Sequence, residues 1–334
     1  MYNLFIVRSP LQFINAIEAK FHFKTTNNIL YMIHNKSTIN SAHMRKIFSF
    51  SEWDEIIEIN SENKKNSLIN NVKSIKILKE KKYNYIFTGD IGNINTVLIS
   101  SLTKNETYLL DDGTMTLVSH QTLNPNGKKP WSTSRFIKNS RYNFFGLKCN
   151  LKKEKINYFT IFNITPHKDE KIVKNKFSFF KQSFLPQLKQ DSNTVYFIGQ
   201  NLIVENIMSE VIYLQYIKNI IKYYSNQTII YYPHRFEKIS EKYRELEGKK
   251  FIIKESTQPI EVELLTRGYY PTCIASFVSS ALSSLKNIFQ NANIDSFVIQ
   301  EKDLLSHKEN FKLIYAKQNP EIHQVYLNIY QETK

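Results

Sequence analysis

The chain has 334 residues, with 45 Lys and Arg against 30 Asp and Glu, a formal charge of +15. Hydrophobic residues at 42% and charged residues at 22% are close to globular values, so wholesale disorder and a disulfide-stapled miniprotein are excluded, and at roughly 100–200 residues per domain two domains are expected. The positive excess favours anionic partners (nucleic acid, phosphorylated substrates or an acidic membrane surface) without choosing among them.

Short apolar runs alternate with helix-period segments from the start, the mark of βα units around a mainly parallel sheet. Leu4–Val7 reads as a first strand and not as a signal peptide, because no basic leader precedes it and Arg8 ends it. Pro10 suits the first turn of a helix, with Leu11, Ile14, Ile17 and Phe21 on one face. Ile29–Ile33, Ile56–Ile59, Tyr83–Phe87 and Thr107–Leu110 supply further strands, completing a Rossmann-like half over residues 1–162. Its end carries an Asn124-Pro125-Asn126-Gly127 turn and a basic stretch, Lys128 to Lys155, read as an insertion. Residues 163–193 read as a linker.

Thr194–Ile198, a helix with Val211, Leu214, Ile217 and Ile221, then Ile229–Tyr232, Phe251–Ile253, Cys273–Phe277 and Phe297–Ile299 form a second Rossmann-like half over 194–316. Residues 317–334 read as a last helix after Pro320, with Ile322, Val325 and Ile329 at helical spacing, able to pack back on the first half. Such an α/β architecture of two Rossmann-like domains facing a central cleft binds ligands at strand carboxyl ends.

Several chemistries find no motif. The eight glycines form neither GxGxxG nor a Walker A loop. The eight histidines show no HxH or HxxxH spacing, and no Asp-x-Asp occurs, so no metal site is expected. Only Cys149 and Cys273 are present, which fits a reducing cytoplasm. No apolar run approaches the ~18 residues of a membrane span, so any membrane association is expected to be peripheral.

Four constellations can carry chemistry. Asp111-Asp112-Gly113-Thr114 ends an apolar strand with two carboxylates, one of which could be a general base; an Asp-Gly turn with a helix cap fits the same letters. Tyr232-Pro233-His234-Arg235 keeps the chain extended until His234 emerges at the rim, with Arg235 adding charge; a solvated loop histidine is the plain alternative. Ser279-Ser280 opens a helix after a buried strand, where hydroxyls and free amides can hold phosphate beyond simple capping. Pro259-Ile260-Glu261 opens another helix, with a carboxylate for ribose hydroxyls or merely an ordinary first-turn Glu.

In this order the set resembles the bacterial sialyltransferases of the lipooligosaccharide (glycosyltransferase family 52) type, from residue 4 to about 290. Ser9-Pro10-Leu11-Gln12 and Ile198-Gly199-Gln200 are similar to that family too; related enzymes often read His-Pro where this chain has Pro233-His234. The resemblance implies a GT-B enzyme moving sialic acid from CMP-sialic acid to a galactose hydroxyl of a surface glycan, lipooligosaccharide or capsule, inverting and without a metal. It makes Asp112 the base, with Asp111 second, and His234 the group that protonates or stabilises the CMP phosphate. Ser279 and Ser280 would hold that phosphate, Glu261 the ribose, and Arg235, Gly199 and Gln200 would lie on the donor side. Ser9, Gln12 and Gly113 would lie on the acceptor side.

A GT-B transferase of another donor, such as a UDP-hexose, and a basic nucleic-acid-binding protein are the rival readings; the latter is disfavoured because the 20 Tyr and 23 Phe mostly fall in periodic core segments. The expected partners are therefore a nucleotide sugar and a glycan, with contact to an anionic membrane and a homodimer both allowed.

Overall fold

The computed structural model describes residues 1–34, 38–60, 67–113, 115–122, 140–151, 154–167, 169–316 and 318–329. The chain forms two compact units, Met1–Phe179 and Phe180–Lys334.

In the first unit, β1 (Tyr2–Val7), β2 (Asn28–His34), β3 (Glu55–Asn60), β4 (Lys82–Thr88), β5 (Thr103–Leu110), β6 (Ile156–Thr160) and β7 (Ile172–Lys174) form a sheet in the order β3-β2-β1-β4-β5-β6-β7. Every pairing is parallel. Both faces of such a sheet are covered, which is why Leu4–Val7 and Ile29–Ile33 are continuous apolar runs and fully buried. The edge strand β3 alternates half-buried and exposed positions and carries Glu55 and Glu58, charges that discourage edge pairing. The connecting helices are α1 (Pro10–His22), α2 (Thr38–Phe48), α3 (Ser67–Lys79), α4 (Asn93–Ser101) and α5 (Met115–Thr122). Aromatic side chains fill one side of the sheet, with Phe23 against Phe87, Tyr108 and Phe159 at 4.8–5.8 Å between ring centroids.

Helix α1 starts where the sequence says it must: the Ser9 hydroxyl accepts from the Gln12 N–H, and Pro10 fills the first turn. Its buried face is not wholly apolar, since Gln12, Asn15 and Glu18 lie inside with Phe13, Ile14 and Ile17. Asn15 accepts from the Asn175 amide at 2.8 Å, and Glu18 accepts from the Phe179 N–H at 3.1 Å. These bonds hold the segment after β7 against α1, so the first unit runs to Phe179 and much of the expected 163–193 linker belongs to it.

In the second unit, β8 (Lys189–Ile198), β9 (Thr228–Tyr232), β10 (Phe251–Ile253), β11 (Tyr269–Ser276), β12 (Asn293–Val298) and β13 (His323–Tyr326) are again all parallel, in the order β10-β9-β8-β11-β12-β13. After α6 (Ser178–Phe184), which straddles the division of the chain, come α7 (Glu210–Tyr223), α8 (Glu241–Arg244), α9 (Ile260–Thr266), α10 (Ser280–Ile288) and α11 (Lys308–Ala316). The expected C-terminal helix is not there: His323–Tyr326 is the edge strand β13, pairing with β12 through Asp295↔His323 to Val298↔Tyr326, and Val325 and Ile329 are buried in the second unit's own core.

Both sheets place the chain reversal beside their first strand, between β1 and β4 and between β8 and β11. Parallel sheets of this kind open a crevice at that point, at the strand carboxyl ends.

Candidate functional site

In the first unit the residues after β1, β4 and β5 converge. Arg8 pairs with Asp90 at 2.7 Å and donates to the Asn95 side-chain oxygen at 2.7 Å. Ser9 donates to Asp112 at 3.2 Å. Asp112 lines a cavity of about 220 Å³ with Arg8, Gly89, Asp90, Met115 and Thr116. Its pKa is raised, chiefly by burial and further by the Asp90 charge, while the Gln12 side chain, the Ser9 hydroxyl and the Arg8 charge pull it back down. A half-buried carboxylate with a raised pKa that opens on a cavity has the properties of a general base.

Asp111 is different, because successive strand residues face opposite ways. It is fully buried and accepts from the Thr160 hydroxyl at 2.5 Å and the Ile161 N–H at 2.7 Å. Burial raises its pKa to about 6. With both oxygens engaged it holds the end of β5 to the end of β6. The turn that follows them needs Gly113, whose φ of +63° is the left-handed region. Thr114 lies outside the described residues, as do Lys128, Lys129, Arg135, Lys138, Lys152 and Lys153 of the basic stretch. Gln12 is wholly buried and accepts from the Arg8 N–H at 2.9 Å, so it shapes the loop beneath the cavity and offers substrate no open surface.

In the second unit the segments after β8, β9, β10 and β11 hold the remaining residues. His234 follows Pro233 at the end of β9, as the extended Pro signature implies. Its Nδ1 accepts from the Phe236 N–H at 3.3 Å, which leaves Nε2 to carry the proton of the neutral ring. Burial and the adjacent Arg235 lower its pKa to about 4. At neutral pH the ring therefore begins as a hydrogen-bond donor and not as an imidazolium; a phosphate arriving beside it favours the charged form and reverses part of that shift.

Beneath the His234 loop lies a group that the sequence reading passed over. Glu237 accepts from the His234 N–H at 2.9 Å, from the Tyr231 hydroxyl at 2.5 Å and from the Tyr243 hydroxyl at 3.3 Å, and burial raises its pKa to about 7. Gly199 packs against this cluster, where a Cβ would overlap the Tyr231 hydroxyl and the Glu237 carboxylate. The Gln200 N–H donates to the Tyr213 hydroxyl at 3.3 Å, and its side chain donates to the Val278 carbonyl. Gly199 and Gln200 thus tie the end of β8 to the loops that carry His234 and Ser279.

Ser279 caps α10, accepting from the Ala281 N–H at 3.2 Å, and Ser280 is the first helical residue; both are half-buried. Glu261 sits in the first turn of α9 with Pro259 as its cap, and it is buried: Ser284 of α10 donates to it at 2.6 Å. Burial raises its pKa, which the Ser284 bond and the Arg235 charge oppose. It therefore ties α9 to α10 in addition to any contact with ligand.

The sequence reading also missed Arg8, Asp90 and Asn95 in the first unit. The available signal was Gly89-Asp90-Ile91-Gly92, a polar Gly-bounded segment directly after an apolar strand.

Two units with all-parallel α/β sheets of this order define a GT-B fold. The UDP-GlcNAc 2-epimerase of Methanocaldococcus jannaschii shares that architecture, with a TM-score of 0.52 at 12% identity over 98% of this chain and 89% of that one. Weaker likenesses are to the family 9 glycosyl transferase of Veillonella parvula (TM-score 0.45, 8% identity, 98% and 85% covered) and the heptosyltransferase of E. coli (0.44, 10%, 89% and 88%). No curated protein matches the sequence. Residues 3–298 match the alpha-2,8-polysialyltransferase family, and the chain belongs to it. It is a glycosyltransferase of the sialyltransferase type. The match supports the bacterial sialyltransferase class expected from the motifs and leaves its lipooligosaccharide branch unconfirmed.

Proposed function

We propose that this chain transfers sialic acid from CMP-sialic acid to a glycan hydroxyl, inverting the anomeric centre and using no metal at the reacting atoms. The observation that carries the reading is the sialyltransferase family match over residues 3–298, into which the Asp112 cavity and the Ser279 helix start both fit.

Departure of CMP from a tertiary anomeric carbon passes through an oxocarbenium-like transition state, with negative charge growing on the phosphate and a proton leaving the acceptor. Asp112 would take that proton. His234 would meet the growing charge through Nε2–H, a bond that strengthens as the phosphate departs. Ser279 and Ser280, with the free amides of the α10 start, would hold the phosphate in the ground state. Arg235 adds charge there, and Glu261 would accept from the ribose. Asp111, Gln12, Gly199, Gln200 and Glu237 would act through the positions they give these groups.

The acceptor we assign is a terminal galactose of a bacterial surface glycan, lipooligosaccharide or capsule. A second reading is favoured by the family's own description, alpha-2,8-polysialyltransferase, under which the acceptor would itself end in sialic acid. We place the enzyme in the cytoplasm, with peripheral contact to the anionic inner leaflet. Among the described residues no helix is long and apolar enough to cross a membrane.

The test is a donor screen in chelator: CMP-sialic acid beside UDP-hexoses, in EDTA, with nucleotide release as the readout. CMP release alone supports the reading. UDP release, or turnover that returns only with Mg²⁺ or Mn²⁺, would overturn it.

A further inference from the structure

In the first unit, on side chains that do not line the Asp112 cavity, two histidines and a glutamate meet. His120 lies in the last turn of α5, and His167 and Glu170 lie in the loop joining β6 to β7. One nitrogen of each ring and one carboxylate oxygen all lie within 4.8 Å of one another. The rings stack, with centroids 4.3 Å apart and planes 9° from parallel, and His120 Nε2 is 3.4 Å from Glu170 Oε2.

The hydrogen bonding of this group is incomplete. His167 Nε2 and the Tyr158 hydroxyl are buried without a hydrogen-bond partner among the described residues, and His120 Nε2 has only its long 3.4 Å approach to Glu170 Oε2, an oxygen that also accepts from the His167 backbone N–H at 2.8 Å. The His120 side chain is 9% exposed and that of Glu170 is 11% exposed. The His120 ring packs edge-on to Tyr158 at 5.0 Å, and the Glu170 charge acts on the Tyr158 hydroxyl. Buried polar atoms are almost always paired, so an unpartnered His167 nitrogen and a weakly held His120 nitrogen within 4.8 Å of one carboxylate point to a further partner that accepts lone pairs.

We propose that His120, His167 and Glu170 form a binding site for a divalent transition metal of the zinc class, with Tyr158 beside its open fourth position. Two imidazoles and one carboxylate are a zinc donor set, and tetrahedral bonds of about 2.0–2.2 Å place neighbouring ligand atoms about 3.4 Å apart. The His120–Glu170 separation already has that value, and because an imidazole lone pair lies in its ring plane, the stacked His167 ring must turn out of the stack to become the third ligand. A fixed carbonyl or solvated-cation pocket for Mg²⁺ or Ca²⁺ would need an oxygen-rich set instead.

The position suggests what the ion does. Helix α5 follows the Asp111-Asp112-Gly113 turn, and the β6–β7 loop begins at Ile161, whose N–H holds Asp111. An ion shared by both segments would brace the two sides of that turn. None of its ligands is a group assigned to the transfer chemistry, so the site stands or falls independently of that assignment.

The test uses the full chain, stripped with chelator and dialysed. Zinc titration by calorimetry and the visible absorption of added cobalt are read on the wild type, His120→Ala, His167→Ala and Glu170→Gln, with the thermal midpoint as a parallel readout. One zinc per wild-type chain, a midpoint raised by zinc, and at least ten-fold weaker binding in His167→Ala and Glu170→Gln are expected. Loop substitutions of this kind leave both sheets intact, and circular dichroism checks that they do. No stoichiometric binding to the wild type, or binding of equal strength in the two loop variants, would overturn the proposal.

Discussion

Gly199→Ala isolates the packing beneath His234. The added Cβ would overlap the Tyr231 hydroxyl and the Glu237 carboxylate, and neither can easily withdraw. Tyr231 is fully buried and stacks on Phe197 at 5.5 Å, while Glu237 is fixed by Tyr231, Tyr243 and the His234 N–H. Overpacking of a tight interior costs about 1–3 kcal/mol. Parting the Tyr231–Glu237 bond adds roughly 1.5–3 kcal/mol, since one partner is a carboxylate. At about 2–4 °C per kcal/mol for a unit of this size, the midpoint should fall by roughly 5–24 °C. Tyr231→Phe removes the nearest of the atoms that the new methyl strikes, the Glu237 carboxylate remaining, so the double variant should be less destabilised than the sum of the singles by about 0.5–3 kcal/mol. Thermal and urea denaturation of the four proteins measures this cycle. A Gly199→Ala midpoint within about 1 °C of wild type, or strict additivity, would show that the cluster does not bear on Gly199 as described.

Asp112→Asn should lower turnover by roughly 10²–10⁴-fold while CMP still binds by calorimetry; near-normal turnover in the folded variant would remove Asp112 from the mechanism. Because the base must be ionised, Ser9→Ala, which removes a bond to the carboxylate, should move the acid limb of kcat/KM to higher pH, and Asp90→Asn, which removes a like charge, to lower pH. Movement of both in the same direction would contradict the electrostatics described. His234→Ala should lower kcat far more than it weakens donor binding, whereas Ser279→Ala with Ser280→Ala should also raise the donor KM, and the combined loss should be less than additive; a His234→Ala enzyme impaired only in binding would make the imidazole a lining residue. Glu237, with a folded pKa of about 7 against an ordinary 4.5, binds more protons folded than unfolded between those values, so it should draw stability down by up to about 1.4 kcal/mol per pH unit as pH rises through that window. Urea titrations of Glu237→Gln should show a flatter profile there, and a profile unchanged from wild type would place the shift elsewhere.

The strand ends that carry Ser9, Asp112, His234 and Ser279 are legible in the sequence because each follows a fully apolar run, and in a parallel sheet such runs are strands whose carboxyl ends face the ligand. What surrounds them is less legible. Asp90 and Glu237 read as surface charges until the fold half-buries them, and Gln12 reads as a cleft residue although α1 turns it wholly inward. Strands β6 and β7 escape notice because Ile156–Thr160 and Ile172–Lys174 are short and set among lysines. Strand β13 is four residues long, too short to display a period of two, and the spacing of Ile322, Val325 and Ile329 matches a helix equally well; pairing with β12 decides the outcome. Spacing rules for metal ligands fail for His120 and His167 because helix α5 and the β6–β7 loop meet only in the folded unit.

Transfer itself is tested most directly by incubating the wild-type chain with CMP-sialic acid and glycans ending in galactose or in sialic acid, measuring product by mass spectrometry beside free CMP. One sialylated product per CMP released, dependent on acceptor and lost at least about 100-fold in Asp112→Asn, is the expected result. No sialylated product with any of these acceptors, under conditions where the same protein consumes a UDP-hexose, would contradict the account.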